Sequence, residues 1–420
     1  MVRADHGAAT IGVTATARIE IARVETVRMK AVRMDFELSD EQRLLRDTIR
    51  SFVDAEIRPV ARELEESGQY PERIVATMRT MGLFGLLVPE EYGGMAADMV
   101  SLAIVFEEIS RGWMGIAGII GSHSLSCWMI AQYGTDEQKA AHLPALASGE
   151  RRTGIALTEP GAGSDLQGIA TSARRDGDGY VVNGRKTWIT NARHADPLPV
   201  LVKTDPSAFP AHKGMSVLLV DPACAGFQVV RDLPKLGYRG PETCELVLDE
   251  VRVPDVNLLG GTEGRGLQHV LAALEKGRIN IAARAVGVAQ EAYDQALRYA
   301  GQREAFGQKI SAFQAVQHKL ADMAMKLQAA RLLTYWAAAR ADAGRRADLE
   351  SGLAKVYASE VAYECAFTAM QVHGGYGYSK EFTVERLYRD APLMVIGEGT
   401  NDILRTVIAE SLTSGRGVIG

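Results

Sequence analysis

Gly179–Thr190, GYVVNGRKTWIT, decides the fold. From Gly179 to Thr187 it looks at first like a phosphate-binding loop, but Arg185 displaces the lysine by one position. The flanking residues alternate as a half-buried strand does. Taken as a strand, the stretch places Trp188 and Thr190 on one face. Around it TGIALT, LPVLVKT, GMSVLLV, FQVV and CELVLDEVRV are short and rich in Val, Ile and Thr. They are separated by turn signals such as Asp178-Gly179 and Asn183-Gly184. The reading is a compact antiparallel β-domain from about Arg152 to Leu259, with Thr158 ending its first strand.

Outward from this block the period changes. On the N-terminal side, SDEQ is a capping box of Ser39 with Gln42, followed by Leu45, Ile49, Phe52, Val53 and Ile57 at three- and four-residue steps. Pro71 opens a second helix and Gly82 follows its end; helical pieces run on to about Ala147. On the C-terminal side, Leu267 to about Tyr299 contains no proline and predicts one long amphipathic helix, with further helices over Phe313–Ala341 and Leu349–Val372. Long helices with short joints predict a four-helix bundle. The fold class is therefore multidomain α+β: residues 1–33 an extension, 34–151 an all-α domain, 152–262 the β-domain and 263–420 the bundle.

Composition bounds the function. The 420 residues are 47% hydrophobic with a formal net charge of −5, so there is no basic footprint for nucleic acid. Cys127, Cys224, Cys244 and Cys365 are isolated and read as reduced thiols. No run approaches 18 uninterrupted apolar residues, so no membrane span is expected. Met1–Arg33 carries six Lys/Arg against three Asp/Glu. Acids at Glu20 and Glu25 count against a transit peptide, which favours a disordered extension, or an upstream start ahead of Met34, and a cytoplasmic location over the mitochondrial matrix. Nothing matches GxGxxG, HExxH or GxSxG, and no histidine pair has ligand spacing, so neither a Rossmann site nor a metal is expected.

Five segments remain. ALTEPGAGSD (Ala156–Asp165) bares backbone at Gly161 and Gly163 before Ser164. KTWIT offers an aromatic plate and a hydroxyl. REAFGQKISAFQ supplies Arg303, Phe306 and Gln314, and QVHGGYGYS supplies His373, Gly374 and Gly375. Last comes LMVIGEGTNDIL (Leu393–Leu404), a lone Glu398 between two glycines. Singly, each has an ordinary structural reading: a loop, a core tryptophan, a basic helix end, a glycine C-cap. In the last, Thr400 can serve as N-cap with Asp402 in the first turn.

Together, in this order and spacing, TEPGAGSD, WIT, RxxFG, QxHGGYGY and EGT closely resemble the acyl-CoA dehydrogenase family of flavoproteins. The resemblance runs from about Met34 to the C-terminus. It implies an FAD site formed by Ile155, Leu157, Thr158, Gly163, Ser164, Trp188, Ile189, Thr190, Thr400 and Asp402. Arg303, Phe306, Phe313, Gln314, Gln371, Val372, His373, Gly374 and Gly375 would reach the FAD of a neighbouring subunit in a homotetramer, a dimer of dimers. It implies substrate contacts at Ser164, Glu275, Arg278, Gly397 and Gly399, with Glu398 as the catalytic base. The implied reaction is α,β-dehydrogenation of an acyl-CoA to the trans-2-enoyl-CoA, with electrons passing to an electron-transfer flavoprotein.

Some relatives place the base just before the arginine of the long helix; that position here is Gly277. Two departures stand out. Gly397 replaces a common tyrosine, which predicts a wider pocket for a branched or cyclic acyl group, and Asp402 replaces a common glutamine. Met114–Ile130 lacks Arg and Lys, which points away from a glutaryl-type dicarboxylate. An oxygen-using oxidase or monooxygenase, a carrier-protein thioester substrate and a flavin-free structural subunit are the alternatives.

Overall fold

The helices begin where their capping chemistry dictates. In the computed structural model, which describes residues 37–344 and 346–414, Ser39 Oγ accepts from the Gln42 amide and the Gln42 side chain accepts from the Ser39 amide, each at 3.1 Å. This reciprocal pair satisfies two donors that a helix start leaves open. The predicted extension 1–33 lies outside the described residues.

From Ser39 the chain packs as one unit. Helix α1 (Asp40–Phe52) continues through a wider π-helical turn, Val53–Ile57, and is followed by α2 (Ala61–Ser67) and α3 (Glu72–Thr80). Then come α4 (Met99–Tyr133) and α5 (Asp136–Ala147), the latter begun by a second capping box of Thr135 with Gln138. By length and composition α4 could cross a membrane, but 83% of its most apolar window is buried inside the protein. Its hydropathy is that of a core helix.

The middle of the chain forms β1 (Ser172–Asp176), β2 (Gly179–Thr190), β3 (Leu198–Lys203), β4 (Met215–Val220), β5 (Phe227–Asp232) and β6 (Thr243–Pro254). Their spatial order is β4-β3-β1-β2-β6-β5. All neighbours pair antiparallel except β1 and β3, which meet in parallel at Ser172 and Lys203.

Three local expectations need correction. The Thr153–Thr158 segment is not a strand: it makes a single bridge at Ala156 to Val200, through bonds with Pro199 O and Leu201 N. The β1–β2 turn is Gly177-Asp178, one residue earlier than read, with Gly177 in the left-handed region. Asn183-Gly184 is no turn but a bulge inside β2. Glycine is required there because a Cβ at Gly184 would lie 2.3 Å from Thr171 Oγ1.

The helical half contains α6 (Gly266–Gln302), a two-residue hairpin of β7 (Glu304–Ala305) and β8 (Gln308–Lys309), α7 (Gln314–Asp342) and α8 (Asp348–His373). It ends with α9 (Val384–Ile396) and α10 (Asn401–Thr413). α6–α9 pack as the bundle, α10 lies on α8, and α4 lies along α6. One core joins α1, α4 and α6–α9, a second fills the sheet, and a third joins α4 and α5 to the sheet.

Buried ion pairs register these layers. Arg58 reaches Glu291 on α6 through two bonds of 2.7 Å, and Arg331 and Tyr335 of α7 hold Glu107 of α4. Glu291 is 1% exposed, so removing only its cation strands a buried charge. Arg58→Met is expected to cost roughly 3–5 kcal/mol in chemical denaturation. The double variant with Glu291→Leu should recover most of that loss, and an equally destabilised double variant would contradict this account.

Candidate active site

The site starts at β2. Lys186 is fully buried; its Nζ donates to Glu159 Oε1 at 2.8 Å and to Leu157 O at 3.0 Å. Burial pulls the Lys186 pKa down to about 8. Burial works against the Glu159 charge too, but the hydrogen bonds from Lys186 and the 170–171 backbone outweigh it and hold Glu159 below the usual carboxylate value. This pair, with a bond from Thr187 N to Thr158 O, clamps the TEPGAGSD loop onto β2. It also disposes of the phosphate-loop reading, because the lysine is committed inside the core.

Ile155, Leu157, Thr158, Gly163 and Ser164 therefore run beside β2, with Gly163 and Ser164 exposed. A second bulge in β2 falls at Trp188, which takes the left-handed region at φ 64°. Its indole stays 57% exposed while Ile189 is buried. An aromatic plate thus lies open beside a loop of bare backbone.

A second set gathers in a groove at the far end of α6, lined by Tyr299, Arg303, Val372, His373, Gly374 and Gly375. His373 is structural: its ring stacks on Tyr299 at 4.2 Å and its Nδ1 donates to Ala369 O. Gln371 accepts from Lys319, and Gln314 is exposed at the start of α7. Phe306 is 95% exposed on the β7–β8 turn, 6.0 Å from the Phe313 ring. Among the described residues, nothing covers Phe306.

The third part is the turn between α9 and α10. α9 stops at Gly397, Glu398 and Gly399 both take positive φ (52° and 92°), and Thr400 caps α10 by accepting from Ile403 N. Gly399 meets the conformational demand; Glu398 bears it as strain. Asp402 is exposed in the first turn of α10. Lys355 of α8 ties the turn down, donating to Gly399 O at 2.7 Å and Asn401 Oδ1 at 2.8 Å. The Glu398 carboxylate lands on α6 at Gly277, where a Cβ would sit 1.7 Å from Oε2. The alternative base position of the resemblance is therefore not merely unfilled: its missing side chain is what admits Glu398.

Although Glu398 retains some surface, Oε2 is buried without a hydrogen-bond partner. Desolvation pushes its pKa up to about 7, against the pull of Arg284, Lys355 and Arg278. Of the other expected substrate residues, Glu275 accepts from the Ala347 amide at the start of α8. Arg278 is largely buried with its Nε unpartnered. At Gly397 a Cβ would meet only Leu393, at 3.3 Å from its O.

Sequence reasoning missed Tyr238 and Arg284. Tyr238, in the left-handed region at φ 55°, is held by Asp390 accepting from its amide at 2.6 Å. Its hydroxyl enters over Gly118 of α4, where a Cβ would be 1.9 Å away. Thr190 and Arg284 are its polar neighbours. Tyr238 thereby links the β2 face to the Glu398 turn. No motif marks it, since a tyrosine in a β5–β6 connection is unremarkable by type.

The Glu398 pKa carries a sign for stability. A carboxyl raised from 4.5 to about 7 on folding contributes stability that is full below the unfolded value and is lost as pH rises through 7. Glu398→Gln removes that loss. The variant should match the parent near pH 4 and exceed it by about 3 kcal/mol at pH 8 in urea denaturation. A gap independent of pH would contradict burial as the cause.

Comparison with known proteins identifies the family. Residues 39–150, 154–251 and 264–413 match the N-terminal, middle and C-terminal domains of acyl-CoA dehydrogenase. A probable acyl-CoA dehydrogenase of Bacillus subtilis is 44% identical over 381 residues, covering 90% of this chain and all of that protein. The solved acyl-CoA dehydrogenase of Geobacillus kaustophilus superposes with TM-score 0.86 at 39% identity, over 90% of this chain and 99% of that one. A chain in the structure described as the electron transferring flavoprotein of Acidaminococcus fermentans gives TM-score 0.87 at 36% identity, over 90% and 99%. With all three domains matched in order and whole-length relatives on both counts, the chain belongs to the acyl-CoA dehydrogenase family.

Proposed function

We propose that Glu398 is the base that takes the α proton of an acyl-CoA as the chain oxidises it to the trans-2-enoyl-CoA. The observation carrying this is the Glu398 carboxylate itself, pressed against Gly277 with one oxygen buried and unpartnered and a pKa near 7. A base poised at the working pH combines a useful ionised fraction with real basicity.

Family membership makes the protein an FAD-dependent oxidoreductase, and its residues fit that cofactor. Side chains at Gly161 and Gly163 would meet nothing closer than 3.9 Å, so the Thr158–Ser164 backbone is open to a ligand. Trp188 and Thr190 stand beside it, the tryptophan as a plate for a flat ring. When bound, FAD supplies the acceptor that takes the β hydrogen as hydride. The chain's own part is the other hydrogen: the α C–H bond breaks, Glu398 holds the proton, and the electron pair left behind forms the new double bond. The Glu398 N–H, in its left-handed turn, is the donor suited to the thioester oxygen as charge develops there.

Exposed Phe306 and the Arg303–Gly375 groove support contact with a second copy of the chain, as in a tetramer whose subunits share flavin sites. An electron-transfer flavoprotein is the proposed electron acceptor, which the likeness to the Acidaminococcus structure supports.

Anaerobic mixing of the yellow holoenzyme with acyl-CoAs tests the base. Glu398→Gln should bind ligand yet reduce roughly 10²–10⁴-fold more slowly; full-rate bleaching would remove Glu398 from the mechanism. Because the base works deprotonated, the parent's reduction rate should climb as pH rises through about 7. Lys355 lowers the Glu398 pKa and holds the Gly399 carbonyl, so Lys355→Met should move that rise to higher pH. An unmoved profile would show that Lys355 acts on folding alone.

A further inference from the structure

Arg284 on α6 is 4% exposed, yet among the described residues its Nε and Nη2 have no hydrogen-bond partner. The guanidinium lies over the Tyr238 ring, 5.1 Å from its centroid. Its charge acts on the Glu398 carboxylate more strongly than that of Lys355 or Arg278. The Glu398 Oε2 is itself buried and unpartnered. A buried cation and a buried anion therefore feel each other across one space without bonding across it. Leaving a guanidinium so placed is costly unless something completes it.

The open edge is specific. Nε and Nη2 form the side of the guanidinium that grips a carboxylate with two parallel bonds. The same edge is used twice elsewhere in this chain, by Arg50 on both oxygens of Glu108 and by Arg389 on both oxygens of Glu385. Around Arg284 the wall is polar: the Tyr238 hydroxyl, Thr190 and Asn280, whose Oδ1 is also buried and unpartnered. A site for a plain hydrocarbon tail would not be lined this way.

Distance along α6 sets the ligand's length. Arg284 stands seven residues beyond Gly277, on the same face and about 10 Å along the axis. Helix side chains lean toward the N-terminus, so the guanidinium reaches back toward the Glu398 level. The gap left between base and cation is that of a few carbon–carbon bonds.

We propose that Arg284 binds a second carboxylate on the acyl group, making the preferred substrate the CoA thioester of a short dicarboxylic acid of four or five carbons. This rests on the dehydrogenase reading above and names its substrate class. The cation comes from α6 and not from Met114–Ile130, whose lack of Arg and Lys points the other way in the sequence. In the reaction the distal carboxylate is unchanged: Arg284 holds it while the α proton goes to Glu398, and bound FAD would supply the acceptor for the β hydride.

The test is anaerobic flavin reduction of the holoenzyme by butyryl-CoA, succinyl-CoA, methylsuccinyl-CoA and glutaryl-CoA. At least one diacid thioester should exceed butyryl-CoA in kcat/KM by roughly 10²-fold or more. Arg284→Met, which removes an unpaired buried charge at similar length, should keep its FAD and lower the ratio of kcat/KM for that diacid over butyryl-CoA roughly 10²–10³-fold, with both rates rising at higher pH than in the parent because Arg284 also lowers the Glu398 pKa. A parent that prefers butyryl-CoA overturns the proposal whether or not the variant folds. So does a variant that keeps the diacid preference, or one that loses FAD while the parent shows no such preference. If no thioester bleaches the parent's flavin, it is the dehydrogenase reading that fails.

Discussion

The close approach of the 397–400 turn to α6 organises the site. A carboxylate can rest where the Glu398 carboxylate does only because α6 offers no side chain at Gly277. That contact needs the turn pinned from below, which Lys355 does through the Gly399 carbonyl and Asn401. It also needs α6 to be straight and correctly seated. Gly287 lets α6 lie against α4, since a Cβ there would be 2.2 Å from Glu107 O, and Arg58 fixes its register through Glu291. Each piece is ordinary packing; their sum is a strained glutamate aimed into a dry space.

Charge burial is the recurring theme, and the chain treats it in two ways. Lys186 with Glu159, Arg58 with Glu291, and Arg331 with Glu107 are completed by their own partners and lock layers together. Glu398 and Arg284 are not completed within the protein. A structural ion pair left half-made would simply destabilise the fold. The same arrangement around a reacting ligand would supply a proton acceptor and a recognition group, the two roles proposed for Glu398 and Arg284.

Much of this was legible in residue order. The capping box at Ser39, the long proline-free helix after Leu267 and the alternating block around Gly179 carry their structure locally. Their period and cap chemistry depend on neighbours a few residues away. The EGT segment was legible too, as a lone acid between glycines. What failed was also local in kind: Asn183-Gly184 reads as a turn by type, yet the glycine serves Thr171 across the sheet. TGIALT has strand composition but a single bridging partner, because its hydrogen bonds were decided by β3 and not by its own alternation. Trp188 and Thr190 were read from plain alternation, but a bulge that no alternation rule contains falls at Trp188.

The sequence by itself determined the helix–sheet–helix order and the family, and singled out Glu398 as the acid to examine, because these rest on short-range patterns and on motifs in register. Only the tertiary structure decided that Gly277 makes room for Glu398, that Tyr238 connects Thr190 to the helical half, and that Arg284 is buried with an open edge. Those facts depend on residues 46 to 121 positions apart in the chain coming together. Desolvation is a property of the assembled surroundings, and an arginine written in a helical segment says nothing about which partners the fold will deny it.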